Sequence, residues 1–348
     1  MKNLIFIVLG TLVSLTCLAG ELGDKRAWDR ISDPLLLDVS QRANNLLPLS
    51  GTVSDPTKYW SSDFWSKKKG GINFRWNAVR PTGLNLRSPS KDQAARMSIA
   101  ELSTLAATEK LDLLSGSYDY PLKREIARYA NPSAPSWEGI CNGWSEASMH
   151  HSEPMPITLT NPDGISIPFG SSDIKALLSW YYFRKSADGY ARMGSRCRNK
   201  SDTCNNDLNA GAFHLVLTNR LGIQGESFIA DIDRGSEVWN HTAYRYQSTV
   251  RDYNLSPRRS SARGTRSVMR IRTVVDYTFV LKKNSWEPVL GTTNQKFDTR
   301  TYEYYLEMDA YGVVIGGEWI SRERPDFVWL STKTPEFTGN MTRLGDLL

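Results

Sequence analysis

A long alternation of apolar and polar side chains in the second half of this 348-residue chain limits the folds that it can adopt. Apolar residues recur at alternate positions from Met269 to Leu281 and again from Tyr302 to Met308. A period of two is typical of strands that bury one face. After the turn at Asp309–Gly312 the chain returns through Val313, so residues 301–320 predict a β-hairpin.

The first half of the chain carries helical periods instead. Apolar residues at near-helical spacing between residues 98 and 114 predict a helix that stops at Gly116. Ser171 or Ser172 can cap a further helix, whose apolar face is formed by Ile174, Leu177, Leu178 and Tyr181. We therefore expect helices to gather in the first half of the chain.

Two apolar runs before the alternating region, residues 211–219 and 227–233, also predict strands, the second ending at a turn around Gly235. Helices followed by antiparallel strands indicate an α+β fold, with a helical first half packed on a C-terminal antiparallel β-sheet. A hydrophobic content of 40% agrees with an ordered globular protein.

The first 19 residues have the pattern of a secretory signal peptide. Lys2 precedes an apolar run that reaches Leu18, and Ala19 is a small residue at the expected cleavage position. No stop-transfer flank or second apolar segment follows, so we expect no membrane span and a secreted or periplasmic protein. Residues 20–90 are polar and rich in proline, serine and tryptophan, and they predict an arm that wraps a domain formed by residues 91–348.

The cysteines leave one candidate nucleophile. Signal-peptide cleavage removes Cys17, and in an oxidising compartment Cys197 and Cys204 are close enough in sequence to form a disulfide. Cys141 is then unpaired. It lies between a proline-rich approach, residues 131–136, and a stretch that can begin a helix, where a helix N-terminus would favour the thiolate. The alternative is a buried cysteine that only fills the core of a non-enzymatic secreted binding protein.

A thiolate nucleophile needs a base, and the chain has four histidines. His150 and His151 are too far along the expected helix to reach the sulfur of Cys141. His214, in a predicted strand, is the preferred base, and His241 is the fallback.

The base needs an acceptor for its other ring nitrogen. Asp231 lies at the end of the strand predicted after His214, and Asp233 has the same strand parity, so both point to one face. Asn240 is the third option. The oxyanion would be held by the backbone N–H of the nucleophile and one upstream donor, for which the candidates are Asn131 and the indole of Trp137.

Motifs spread over most of the mature chain resemble the oomycete-type elicitor transglutaminases and their bacterial relatives. Individually weak, they agree in order and coverage with that family. The matching pieces are Trp65, Gly70-Gly71-Ile72, Arg75-Trp76, Trp137-Glu138-Gly139, Cys141-Asn142-Gly143-Trp144-Ser145, Asp173-Ile174-Lys175-Ala176-Leu177-Leu178, Phe213-His214-Leu215-Val216-Leu217, Val238-Trp239-Asn240, Gly316-Gly317-Glu318-Trp319 and Pro325-Asp326-Phe327-Val328-Trp329.

The resemblance implies a papain-like cysteine catalytic core over residues 91–348, secretion, and protein-glutamine γ-glutamyltransferase activity. It makes Cys141 the nucleophile, His214 the base and Asp231 the orienting acid, with Asp233 close behind. The chain departs from the family at Asn240-His241-Thr242, where the relatives tend to have a proline, and it lacks their long N-terminal pro-region.

In the expected reaction, a glutamine carboxamide acylates the cysteine and a lysine or small amine resolves the thioester. Water must then be kept out, and the expected walls and substrate contacts are Trp137, Trp144, Trp239 and Asn240. A cysteine peptidase or deamidase would use the same triad with water as the acceptor. We expect no cofactor, with calcium left open, a monomer, protein substrates and small amines as partners, and no nucleic-acid ligand.

Overall fold

The computed structural model describes residues 28–185, 190–197, 208–331 and 336–348. Its helices are α1 Lys91–Ala94, α2 Ile99–Ser103, α3 Ala107–Leu114, α4 Pro121–Tyr129, α5 Cys141–His150, α6 Ser171–Lys185 and α7 Ala210–Leu217. Its strands are β1 Ser50–Thr52, β2 Ile157–Thr160, β3 Ser166–Phe169, β4 Tyr190–Gly194, β5 Ile229–Asp231, β6 Asn240–Leu255, β7 Ser267–Thr278, β8 Phe297–Met308, β9 Val314–Trp319 and β10 Phe327–Ser331.

The main sheet of the described residues is antiparallel and has eight strands, and the expected α+β architecture is confirmed. Its strand order is β4-β10-β5-β6-β7-β8-β9, and β1 adds to β6. The alternating region becomes β7, and the hairpin predicted over 301–320 is formed by β8 and β9. Buried and less buried residues alternate along much of β7 and β8, as a sheet with one buried face requires.

Helices α3, α5 and α6 contribute to a second core beside the sheet. The N-terminal arm adds Trp60 and Trp65, which are almost fully buried there, while β1 pairs with β6. The segment expected to be one helix over 98–114 is two helices, because Ser98 caps α2 and a new helix starts at Ala107. The stop at Gly116 is confirmed, since its φ of +70° favours glycine. The signal peptide lies outside the described residues.

The prediction of a strand over 211–219 is wrong. Residues Ala210–Leu217 form α7, and Asn209 caps the helix by accepting hydrogen bonds from the backbone N–H groups of Gly211 and Ala212. The next turn, Thr218–Gln224, continues as a π-helix. Every residue of α7 is buried, so its sequence is apolar on all sides and periodicity alone does not separate a buried helix from a buried strand.

Helices α5 and α7 pack on opposite faces of the sheet where β10 and β5 run side by side. Ile229, Phe327 and Trp329 form a small apolar cluster with Met149 of α5. Their neighbours of opposite parity, Ala230 and Val328, belong to the core that holds the residues of α7. The sheet therefore lies between the side chains of α5 and those of α7.

No helix among the described residues is long and apolar enough to cross a bilayer.

Candidate active site

Cys141 is the first residue of α5 and opens onto a cleft of about 270 Å³. Its predicted place at a helix start is confirmed. Gly143 allows α5 to approach α6 closely, because a Cβ at this position would lie 2.1 Å from the carbonyl oxygen of Ser179. The cleft is lined by Trp137, Gly139, Cys141, Asn142, Tyr190, Arg192, Val238, Asn240, Phe327 and Trp329.

The Cys141 thiol is buried and neutral rather than a preformed thiolate. Its S–H donates to the carbonyl oxygen of Val238 at 3.5 Å. Burial, together with the nearby charge of Asp231, raises the pKa of the thiol to about 11. Hydrogen bonds from Asn240 and from the backbone of Asn142 oppose this rise but do not reverse it. The helix start alone therefore does not produce the thiolate that the sequence led us to expect.

Asn240 presents its side-chain amide to the sulfur. Its Nδ2 lies 3.9 Å from Cys141 Sγ, while its Oδ1 accepts a 2.8 Å hydrogen bond from Trp329 Nε1. The hydroxyl of Ser145, one turn into α5, donates to the Asn240 backbone carbonyl at 2.8 Å. The amide N–H₂ group is thus held towards the sulfur of Cys141.

Asp231 lies opposite Asn240 in the β5–β6 register. Its Oδ1 accepts a 2.8 Å hydrogen bond from the backbone N–H of Trp239, and its Oδ2 is buried with no hydrogen-bond partner among the described residues. Burial, together with the charge of Asp326, raises the pKa of Asp231 to about 8. A carboxyl group of this kind can accept a proton near neutral pH.

Asp233 is not brought into the cleft. Strand β5 ends at Asp231, and the Asp233 carboxylate instead accepts a hydrogen bond from the backbone N–H of Gly235 at 2.5 Å. It lines a separate surface depression that also contains Arg322 and Glu323. The expectation that both acids face the same way fails because the chain turns directly after Asp231.

The structure does not bring His214 to Cys141. His214 lies on α7, across the sheet from α5, and its Nδ1 is hydrogen-bonded to the hydroxyl of Tyr304 at 2.8 Å. Burial lowers the pKa of His214 to about 4, which makes it a weak base. The expected pair of Cys141 and His214 depended on a strand over residues 211–219. Because this segment is a helix, the imidazole ring lies in a different core.

The other histidines are held elsewhere as well. His241 donates from Nδ1 to the Thr278 carbonyl oxygen at 2.8 Å and packs against Phe279. Burial lowers its pKa to about 4, and it does not line the cleft. His150 stacks on Tyr182, and His151 is hydrogen-bonded to the Tyr182 hydroxyl.

The aromatic side chains expected around the site divide into two groups. Trp137 lines the cleft, whereas Trp144 is buried and donates from Nε1 to the Trp60 carbonyl oxygen. Trp239 packs against Phe64 and is not part of the lining. Asn131, the other suggested oxyanion donor, is exposed and its carboxamide oxygen accepts from the backbone N–H of Ser133.

Several lining residues were not selected from the sequence. Tyr190, Arg192, Phe327 and Trp329 come from β4 and β10, which pair with each other. Phe327 and Trp329 are two residues apart, so a strand at this place puts both aromatic side chains on one face of the sheet. Only the sheet order shows which face meets the cysteine.

Cys141 is the free cysteine of the described part of the chain, and Cys197 is disulfide-bonded. Cys204 lies outside the described residues, so its pairing with Cys197 stays a prediction. Within those residues no group of three or more histidine, cysteine or acidic side chains is arranged to hold a metal ion.

Comparisons with known proteins concern the family and the fold. A sequence model described as "Transglutaminase elicitor" matches residues 123–345. The fold is similar to that in the crystal structure of the GP42 transglutaminase from Phytophthora sojae, with a TM-score of 0.68 and 19% sequence identity. This similarity covers 93% of the present chain and 98% of the other. No curated protein matches the sequence.

Proposed function

Because the chain belongs to the transglutaminase elicitor family, we propose that it is a protein-glutamine γ-glutamyltransferase that uses Cys141 as its nucleophile and Asp231 as its proton acceptor. The observation that carries the proposal is the grouping of a buried thiol at the cleft wall with an amide donor and a buried acid of raised pKa. A cysteine that begins a helix packed beside an antiparallel sheet also supports a papain-like core.

In the first half-reaction, Cys141 attacks the carboxamide carbon of a substrate glutamine. The thiol proton passes to Asp231 Oδ2, directly or through one water, and is returned to the departing nitrogen, which leaves as ammonia. The new bond is the thioester between Sγ and the glutamyl carbon. This route makes Asp231 the base, a role that the family resemblance had given to His214.

The amide N–H₂ of Asn240 and the free backbone N–H groups at the start of α5 stabilise the oxyanion of the tetrahedral intermediate. Asn240 suits this role because Trp329 occupies its Oδ1, which leaves the nitrogen directed at the sulfur.

In the second half-reaction, an uncharged amine attacks the thioester carbon. Asp231 takes the extra proton from the amine nitrogen, and Cys141 leaves and regains a proton as its thiol. Trp137, Phe327 and Trp329 give the cleft apolar walls, which favour an amine over water as the acceptor.

The proposal also covers the location, the oligomeric state and the substrates of the protein. The protein is exported by residues 1–19 to a secreted or periplasmic location, acts as a monomer, and takes protein glutamines as donors and lysines or small amines as acceptors. Activity without a cofactor, and any need for calcium, are tested by assaying the metal-stripped enzyme.

The experiment is an amine-incorporation assay with a glutamine-containing protein and a labelled primary amine. The purified protein is expected to attach the amine and release ammonia, and Cys141→Ala is expected to do neither. Release of ammonia with no attached amine would show a deamidase and contradict the transferase. Full activity in Cys141→Ala would contradict the nucleophile.

A further inference from the structure

Arg192 is the one charged side chain among the residues that line the cleft of Cys141. It lies on β4, directly opposite Trp329 of β10, and is exposed. The guanidinium packs over two rings that also line the cleft, at 5.9 Å from the Tyr190 ring centre and 5.4 Å from that of Phe327. These aromatic contacts hold a cation at the cleft wall.

The Arg192 guanidinium forms no ion pair with a carboxylate of the described residues. A second guanidinium, that of Arg196, lies over the ring of Trp137 at 5.6 Å, next to the same cleft, and hydrogen-bonds the backbone carbonyl of Ser236. The cleft therefore carries positive charge beside an apolar floor. A planar guanidinium is well suited to bind a carboxylate through two parallel hydrogen bonds.

The positive charge of Arg192 acts differently on the glutamine donor and on the lysine acceptor. A lysine acceptor arrives mostly as an ammonium ion, which a guanidinium repels. A glutamine side chain is neutral, and the residues next to it in a donor protein can be acidic. Cys141 and Arg192 line one cleft of about 270 Å³, so a short peptide segment spans both. Arg192 belongs to the donor side of the reaction.

Resting on the proposed function, we propose that Arg192 selects glutamine donors that carry an acidic residue immediately beside the reactive glutamine. The acidic side chain binds the guanidinium while the glutamine carboxamide reaches Cys141. Because Arg192 is exposed, the effect is that of a solvent-screened ion pair, about two- to fivefold in kcat/KM.

The test compares peptides that are identical except for the residue next to the single glutamine, which is Asp, Asn or Arg, placed on either side. Asn matches Asp in shape and is not a donor for this reaction. The natural enzyme is expected to prefer Asp over Asn about two- to fivefold and to disfavour Arg, with the preference shrinking as salt is raised from 0.05 to about 0.5 M.

Arg192→Gln is expected to bring the Asp-to-Asn ratio to about one, and Arg192→Glu to favour the Arg-flanked peptide. Arg124→Gln is the matched control, since Arg124 lies on α4, is exposed and pairs with Asp119. It is expected to keep the natural ratio. An equal ratio in the natural enzyme, or an unchanged ratio in Arg192→Glu, would overturn the proposal while leaving transferase activity standing.

If no peptide is turned over, the proposed function fails and the role of Arg192 is read from binding. Fluorescein-labelled peptides are titrated with Cys141→Ala and followed by anisotropy. Tighter binding of the Asp-flanked peptide, lost in the double variant Cys141→Ala/Arg192→Gln, supports the selection. Equal binding of the Asp and Asn peptides contradicts it.

Discussion

Asp231 and Asn240 lie directly opposite each other on β5 and β6, and both act on the thiol of Cys141. The acid raises the pKa of the thiol through its charge, and the amide lies 3.9 Å from the sulfur. In the proposed mechanism, this pair of cross-strand neighbours supplies a proton acceptor and a hydrogen-bond donor to the same atom.

Replacement of Asp231 by asparagine removes the proton acceptor and keeps the size of the side chain. We expect kcat/KM for amine incorporation to fall by about 10²–10⁴, the usual contribution of a general base. The matched control is Asp233→Asn, two residues away and outside the cleft, which is expected to keep natural activity. Equal losses in the two variants would contradict the assignment.

The pH dependence of the reaction follows from the raised pKa of Asp231. Below a pKa of about 8 the carboxyl group is mostly protonated and cannot accept the thiol proton. We therefore expect kcat/KM to rise about tenfold per pH unit below about pH 8 and to level off above it. The residual activity of Asp231→Asn should lack this ionisation. If kcat/KM instead levelled off above about pH 6.5, the ordinary pKa of a histidine, a different base would be indicated.

The same ionisation links stability to pH. The folded pKa of Asp231 is raised from 3.8 to about 8, so the contribution is fully present below about pH 4 and is lost as pH rises through about 8. Asp112 and Glu146, each with a pKa raised to about 7 by burial, act in the same direction. Burial lowers the pKa of His214 and of His241 to about 4, and these two groups act in the opposite direction below about pH 6.5.

Between pH 4 and pH 8 we expect the free energy of unfolding of the natural protein to decrease with pH relative to that of Asp231→Asn, by up to about 1.4 kcal/mol per pH unit for this one group. Chemical denaturation of both proteins at several pH values measures the difference. Parallel curves would show that Asp231 does not titrate as described.

Trp329 is expected to be a positioning residue for Asn240. Trp329→Phe keeps an aromatic ring in the cleft but removes the Nε1 donor that holds Asn240 Oδ1. We expect Asn240→Ala to lower kcat by about 10²–10³, as loss of an oxyanion donor does, and Trp329→Phe to lower kcat by a smaller factor. Steady-state kinetics separates kcat from KM. A pure KM effect in both variants would show that the two residues only bind substrate.

His214→Gln distinguishes the base inferred from the sequence from the base inferred from the structure. His214 is hydrogen-bonded to Tyr304 in the core around α7, so its loss should lower the unfolding free energy by about 1–3 kcal/mol. The folded fraction is expected to retain transferase activity, with active sites counted by iodoacetamide labelling of Cys141. Loss of turnover in fully folded, fully labelled protein would restore His214 as the base.

Much of the fold was accessible from the sequence because its strands bury one face. The alternation in β7 and β8 and the turn that follows β8 predict these elements and the hairpin, and the expected helix start at Cys141 agrees with α5. The cysteine itself could be singled out because its competitors were assigned to the signal peptide or to a disulfide.

The companions of the cysteine were harder to find. Residues Ala210–Leu217 are apolar on every side, so nothing in their pattern separates a buried helix from a strand, and the error moved His214 to the wrong face of the sheet. The raised pKa values of Cys141 and Asp231 come from burial, which a sequence does not specify. Arg192 and Trp329 reach the cleft only because β4 pairs with β10.

The most direct test of the account is the mass of the enzyme after brief mixing with a glutamine-containing peptide in the absence of any amine. We predict one acyl group on the tryptic peptide that contains Cys141, labile to hydroxylamine, formed more slowly in Asp231→Asn and at the natural rate in Asp233→Asn. Undiminished release of ammonia by Cys141→Ala would contradict the assignment of Cys141 as the nucleophile. An acyl group on another residue of the natural enzyme would contradict it as well.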